Sequence, residues 1–549
     1  MKISIGFSWA AGTWVNTSGL LLGQLLSSKW YTVLWDKEYA SIIKWDNNNF
    51  FLYISDNHTF IAKTIAHFFP FDEFSVTKNT PLYQLKKIHK LKDTSVKYKN
   101  VYFFWAALKL LGISCEEGEK FLTTQFSGDI LTENITTLVK WYKYFKTATY
   151  DLSKSIWTPK DFVFGNEMIG IWSIASGMDF YAAYPMTPAS SLIDVITAYK
   201  DVTFFQGEDE IAVSMTMLGA KFAGKRAMCG TSGGWFALMT ESISFSHIAE
   251  LGWVYILSQR DGPSTGTPTY TGQSDINYAL NASFGDTFPI VLAPSTYEEW
   301  YQLIGKALNR SDHYQHPVIF LVDKQFSESY LSVDKTKLVP EQINRWKVEI
   351  LKDGKIEGEY KRYAYTADGI SPVSLPGTEN GEFIATSYEH DEYGATNEDP
   401  VIKKAMMDKR FKKLATLVQQ EFTKDFYGYE IINPEAKTFF VTFGFNRYVL
   451  EDFIREKEKG LRSQVPGSTP KYGLIVIKVL QPLDMRLKDF LDSHVKQIKK
   501  LIFVEMNYSW QLEELITNKC RLHDRKWKNK ISNIRKYTLY PFFREDIIL

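Results

Sequence analysis

Cysteine is scarce: 549 residues hold only Cys115, Cys229 and Cys520, with no CxxC pair. This spacing offers no disulfide framework and no cysteine zinc site. It also excludes a self-contained cysteine-ligated iron–sulfur cluster, which takes four thiolates. Electron transfer through such a cluster would need a partner chain. Long hydrophobic runs are missing too, since none approaches the roughly 20 residues of a membrane span. The N-terminal MKISIGFSWAAG lacks the basic-then-apolar order of a secretion signal. A cytoplasmic protein with no membrane partner is therefore expected. An excess of either charge is absent, the formal net charge being +1, so nothing points to nucleic acid or another polyanion. There is no internal repeat and no low-complexity tract.

What remains is a chain of globular composition, 45% hydrophobic and 23% charged, too long for one hydrophobic core and expected to form two to four domains. Short apolar stretches at Lys2–Phe7 and Phe50–Ile54 alternate with helix-like Leu20–Leu26, which reads as an α/β unit ending near residue 150 in WYKYFKTATYDLSKS. A second α/β block runs from Gly165 to about Ser332, with strands predicted at Val254–Ser258 and Val318–Val322. Residues from about 335 to 430 are polar, with turn signals at 353, 368 and 371 followed by a charged helical run, and read as a connector. A third α/β block follows Pro434, with strands predicted at Lys437–Phe443, Gly473–Val479 and Leu501–Glu505.

Four segments in the second block carry the chemistry. In FYAAYPMTPASS a strand-like stretch ends at Tyr184, Pro185 and Met186, and two prolines fix the backbone around Thr187. Strand ends of open α/β sheets are where ligands bind, although a TP pair alone is more often a helix start with its cap. In QGEDEIAVSMTMLG the acids Glu208, Asp209 and Glu210 head a helix, where capping is the simpler use. Beyond it Gly230, Thr231, Ser232 and Gly233 offer free N–H groups and two hydroxyls. In SQRDGPSTGTPT, Arg260 follows an apolar strand, suited to gripping a carboxylate bidentately or equally to a structural ion pair.

Singly these signals are weak, but together their order and spacing resemble a family. GNEMIGIWSIASGMDFYAAYPMTPAS, QGEDEIAV, GTSGGWFALMTE and SQRDGPSTGTPT look like the thiamine-diphosphate pyrimidine-binding domain of the alpha subunit in 2-oxoacid:ferredoxin oxidoreductases. YKRYAYTADGISPVSLPG and YEHDEYGATNED are similar to the same family's interdomain segment, and VEMNYSWQLEELI to its C-terminal domain. VNTSGLLLGQLL and EYASIIKWDNNNFFLYISD resemble a fused gamma domain.

The resemblance implies three α/β domains: a gamma domain over 1–155, the pyrimidine-binding domain over 160–335 and a transketolase C-terminal-like domain over 434–549, with a connector over 336–433. It implies that Glu208 hydrogen-bonds the aminopyrimidine, in a low-dielectric pocket to which Ile211, Ala212 and Met215 contribute. Thr187 and Arg260 orient the 2-oxoacid, and Tyr184, Pro185, Thr187 and Gly230 to Gly233 contact the cofactor. The chain has no GDG motif with a downstream asparagine, the pattern that holds magnesium and pyrophosphate in thiamine enzymes. In this family that motif and the cluster cysteines belong to a beta subunit, so magnesium and the iron–sulfur cluster are expected there, with no metal in this chain. Coenzyme A is the implied cosubstrate and ferredoxin the electron acceptor. The fused plan favours 2-oxoglutarate, while Tyr270 and Gly272, standing where relatives often show a basic and an acidic residue, loosen that assignment. The alternatives are another transketolase-type thiamine enzyme, against which the gamma-like N-terminus speaks, and an inactive paralogue acting in assembly.

One departure recurs. The family pattern suggests glycine where this chain has Trp14, Trp45, Trp105, Trp172, Trp235, Trp346 and Trp510, with Trp9, Trp30 and Trp141 as further cases. Chance replacement would scatter over many residue types. This coincidence implies a gene that reads UGA as glycine, a known variant code, with the tryptophans arising from standard translation.

Overall fold

The computed structural model describes residues 2–7, 21–22, 24–25, 32–36, 50–54, 59–63, 88–89, 101, 104–105, 108–109, 112–142, 161–334, 336, 338–345, 355–464 and 469–548. The expected linker at 141–155 lies almost wholly outside them, as do Trp9, Trp14, Trp30, Trp45 and Trp346. Of the helix-like stretch Leu20–Leu26, the described Leu21, Leu22, Gln24 and Leu25 are helical.

The α/β fold is organised by an eight-stranded sheet. Its spatial order is Val479–Gln481, Ile290–Leu292, Val318–Asp323, Val254–Asp261, Ala227–Thr231, Phe180–Ala183 and Thr203–Gln206, with Thr267–Thr271 folded back antiparallel onto Val254–Asp261. From Ile290–Leu292 to Thr203–Gln206 all neighbours run parallel. Parallel sheets are covered on both faces, so their strands read as continuous apolar runs. Every residue of Val318–Asp323 is accordingly buried. Alternate residues of Val254–Asp261 serve two cores. Val254 and Ile256 pack with Met168, Ile169, Trp300 and Leu303, from helices Gly165–Ala175 and Tyr297–His313. Tyr255 and Leu257 pack with Val213, Met217 and Ile243, from helices Glu210–Phe222 and Thr240–Ile248.

A second sheet holds the N-terminal strands in the order Ile88–His89, Thr59–Lys63, Phe50–Ile54, Lys2–Phe7, Thr32–Asp36, Tyr330–Val333 and Asp161–Phe164. The last two come from either end of the second block. The third sheet runs Tyr429–Ile432, Tyr472–Ile477, Thr438–Thr442, Lys500–Glu505 and Ile531–Arg535, parallel except for the first strand. The third block also supplies Val479–Gln481 to the central sheet, antiparallel to Ile290–Leu292.

Gln273, fully buried just after Thr267–Thr271, joins these blocks. Its side-chain amide donates to Asp323 (3.1 Å), and its side-chain oxygen accepts from Asn446 (2.8 Å) and the Met506 amide (3.2 Å). Its own backbone N–H donates to the Met506 carbonyl at 2.9 Å.

The connector contains the helix Pro400–Glu421, begun by Asp399, which accepts from the amides of Val401 and Ile402. Lys409 and Lys413 from this helix both bind the buried carboxylate of Glu250, Lys409 at 2.7 Å. Arg362 donates to the Glu250 carbonyl at 2.8 Å. A carboxylate ringed by cations is held well below its ordinary pKa despite its burial. The same cluster packs on His247 and His316, whose rings lie 4.7 Å apart.

Candidate active site

The strand register brings the sequence-predicted loops to one edge. Ala183 pairs with both Gln206 and Gly230, and Thr231 pairs with Leu257. The loops that begin at Tyr184, Gly207, Ser232 and Arg260 therefore leave the sheet side by side, at the carboxyl ends of its parallel strands.

The Tyr184–Pro188 loop is held from below by Asn166, which is buried and donates to the Pro188 carbonyl (2.8 Å) and the Ser191 hydroxyl (2.7 Å). Tyr184 packs half-buried on the core, while Pro185 and Thr187 are exposed. The Thr187 carbonyl accepts from Arg260 Nη1 at 2.9 Å, so two of the predicted residues meet. Arg260 is 4% exposed, yet its Nε and Nη2 have no hydrogen-bond partner. Burial lowers the pKa of its guanidinium, and the nearby charge of Asp275 works the other way. No carboxylate pairs with it within the described residues, so the structural ion-pair alternative is not what the geometry shows. Free donors on a buried arginine suit an incoming carboxylate.

The next loop adds two more unmet groups, the buried hydroxyls of Thr231 and Ser232. Gly233 has φ of 36°, in the region that favours glycine, and a Cβ built there would have Asp275 Oδ2 as its nearest neighbour at 3.8 Å. Gly230 has a different role, because a Cβ there would sit 2.5 Å from the Tyr181 hydroxyl. Its smallness is spent on packing beneath the loop.

The three acids separate. Asp209 caps the helix Glu210–Phe222, its carboxylate accepting from the Ala212 amide at 2.7 Å. Glu208 is exposed at the loop tip. Glu210 is 1% exposed, and neither of its carboxylate oxygens has a hydrogen-bond partner. Burial pushes its pKa up. Among the described residues the pocket expected around Glu208 is not closed, since Ile211 is 47% and Met215 37% exposed. Both lie on the outward face of their helix.

Two neighbours escaped the sequence reading. Gln259, fully buried, accepts from the Asp275 amide at 3.1 Å and leaves its Nε2 without a partner. Asp275 itself has Oδ2 sealed from solvent and without a partner. Gly272 lies against the backbone of Arg260, where a Cβ would approach the Arg260 carbonyl to 3.2 Å. A larger residue there would push on the arginine's own strand. Tyr270 instead meets Tyr540 edge to face at 6.1 Å. Among the described residues no helix is long and apolar enough to cross a membrane.

Residues 173–408 match the family described as "Pyruvate flavodoxin/ferredoxin oxidoreductase, thiamine diP-bdg". The chain is 31% identical over 466 residues to "2-oxoacid:ferredoxin oxidoreductase 2, subunit alpha" of Aeropyrum pernix, covering 79% of this chain and 69% of that one. It is 26% identical over 634 residues to a "2-oxoacid:ferredoxin oxidoreductase subunit alpha" of Sulfolobus sp., covering 100% and 96%. A solved 2-oxoglutarate:ferredoxin oxidoreductase from Magnetococcus marinus, with 2-oxoglutarate, coenzyme A and succinyl-CoA bound, superposes with a TM-score of 0.69 at 29% identity. The match covers 82% of this chain and 76% of that one. Sequence, fold and the convergence of four loops on one sheet edge agree that the chain belongs to the family of 2-oxoacid:ferredoxin oxidoreductase alpha subunits.

Proposed function

We propose that this chain is the gamma–alpha fused subunit of an enzyme that oxidatively decarboxylates a 2-oxoacid, preferably 2-oxoglutarate, to its acyl-coenzyme A and passes electrons to ferredoxin. The observation that carries this reading is the set of unmet polar atoms at the sheet edge: Arg260 Nε and Nη2 beside Thr187, with the Thr231 and Ser232 hydroxyls at the end of the neighbouring strand. The substrate preference leans on the solved relative that binds 2-oxoglutarate and succinyl-CoA. On this reading residues 1–155 form the gamma domain, 160–335 the pyrimidine-binding domain, 336–433 the connector and 434–549 the transketolase C-terminal-like domain.

The residues present fit a thiamine pyrimidine ring. Gly233 presents backbone without a side chain, Thr231 and Ser232 offer hydroxyls, and Tyr184 and Pro185 supply the wall. Gly230 acts indirectly, through the packing of Tyr181. Thiamine diphosphate, when bound, supplies the nucleophilic carbon and the electron sink. Glu208 holds a proton at the ring nitrogen, where a positioned acid–base group is effective only if water is excluded. Exposed Ile211 and Met215 beside it are the surface that a beta subunit covers, completing the low-dielectric pocket. Arg260 receives the substrate carboxylate on its two free donors, and the Thr187 hydroxyl orients the keto group. Magnesium, the diphosphate site and the iron–sulfur cluster belong to the beta subunit, and the assembly works in the cytoplasm.

The purified chain is expected neither to turn over a 2-oxoacid nor to show iron–sulfur absorption until a cognate beta subunit is added. In that complex Glu208→Gln should lower turnover on the order of a hundredfold or more while assembly, followed by gel filtration, is unchanged. Turnover near wild type would reduce Glu208 to a surface acid, and a four-iron chromophore in the isolated chain would overturn the division of labour.

A further inference from the structure

The unmet groups around Arg260 include one whose presence works against carboxylate binding. Asp275 opens the short helix Ile276–Leu280, but its side chain caps nothing there. Its amide is anchored to Gln259, the residue before Arg260, and its Oδ2 points beneath Gly233 with no hydrogen-bond partner. The carboxyl thus lies against the Ser232–Gly233 loop, close enough to Arg260 for each charge to act on the other.

Arg260 does not close onto it. The guanidinium donates instead to the Thr187 carbonyl, and no ion pair with Asp275 forms among the described residues. A second carboxylate arriving at Nε and Nη2 would therefore share one cation with Asp275 in a water-poor setting. Two carboxylates confined to one site cannot both stay ionised without large cost, and one of them takes a proton.

Resting on the proposed oxoacid site, we propose that Asp275 sets the pH dependence of substrate binding: it shares Arg260 with the substrate carboxylate and takes up one proton from solvent when the substrate binds. Burial already raises this carboxyl to about 6 in the free chain, against the opposing pull of Arg260. The other titratable group facing it is Tyr278, whose phenol is raised by burial and by Asp275 itself and stays neutral throughout the working range. Protonated Asp275 no longer carries the charge that repels the anion and can itself donate a hydrogen bond. The free energy of that proton uptake grows as pH rises above about 6. Substrate affinity should fall in the same direction, by up to tenfold per pH unit.

The test is the pH dependence of the oxoacid KM in the complex reconstituted with its beta subunit, comparing wild type with Asp275→Asn, an isosteric mimic of the neutral acid. Wild-type KM should rise between pH 6.5 and 8.5, and that of D275N should stay flat, leaving the variant about tenfold or more tighter at pH 8. The ratio of the two cancels every other titrating group. Parallel profiles, or a D275N KM raised equally at all pH values, would show a merely structural carboxyl and overturn the proposal. Asp275→Ser serves as second variant should the amide not assemble, with the same flat profile expected. Arg260→Met separates the two readings. If R260M leaves KM unchanged, the oxoacid site itself is elsewhere. If R260M raises KM about tenfold or more while D275N follows wild type, only the role of Asp275 fails.

Discussion

The tryptophan at position 510 can be tested by both chemistry and mass. Trp510 precedes the helix Gln511–Lys519 with φ of 53° and ψ of 41°, the left-handed conformation. For a residue with a side chain this costs about 1–2 kcal/mol, and glycine adopts it freely. Its indole is 48% exposed, so burial returns little. What it gains is the Arg535 guanidinium 4.5 Å over the ring, worth about 0.5–1 kcal/mol at such a site. The difference places Trp510→Gly between neutral and about 1.5 kcal/mol more stable. A deeply packed tryptophan would instead lose about 3–5 kcal/mol on truncation. Trp172 shows the other face of the problem, its ring lying only 4.0 Å from that of Tyr301, inside the usual spacing of about 4.5–7 Å. Both features are what an indole standing at a glycine position is expected to show. Peptide mass spectrometry of the protein from its native host is expected to find glycine at positions 14, 235 and 510, with UGA in the gene. Tryptophan-containing native peptides, UGG codons, or a W510G variant more than about 1 kcal/mol less stable in urea would refute the reasoning and bring back the inactive paralogue.

Glu250→Gln strands Lys409 and Lys413 in a buried site without their acid, and breaking such a cluster is expected to cost about 3–5 kcal/mol in urea denaturation; a loss under 1 kcal/mol would mean that the lysines simply deprotonate. His247 is held neutral by burial, with its pKa brought to about 3, so the unfolded chain binds a proton below pH 6.5 that the folded chain refuses. Stability should therefore fall as pH drops from 6.5, by about 2 kcal/mol at pH 5 from this group alone, and His247→Phe should remove that part of the slope.

The strands of the parallel sheet were legible because burial on both faces writes them as unbroken apolar runs, as in Val318–Asp323. The motif loops were legible because turn residues gather at strand ends. Thr187 and Arg260 were chosen from separate segments, and the structure joins them by a hydrogen bond. The three adjacent acids could not be sorted by sequence, since helix phase decides which one caps, which is exposed and which is buried. Gln259, Asp275 and Gln273 left no local sign: Gln259 and Asp275 matter through each other, across a loop, and Gln273 through Asn446 and Met506 far along the chain. The expected low-dielectric setting of Glu208 failed within the chain because Ile211 and Met215 face outward.

The strand Val479–Gln481, lent by the last block to the edge of the central sheet, sets an order of events during synthesis. Until about residue 481 has left the ribosome, Ile290–Leu292 presents an open, apolar edge, the kind of surface on which chains pair wrongly with one another. Dividing the protein at Pro434 for separate production would make that exposure permanent. Co-expression of the two halves, rather than mixing after purification, is the route by which the edge can be covered as it forms.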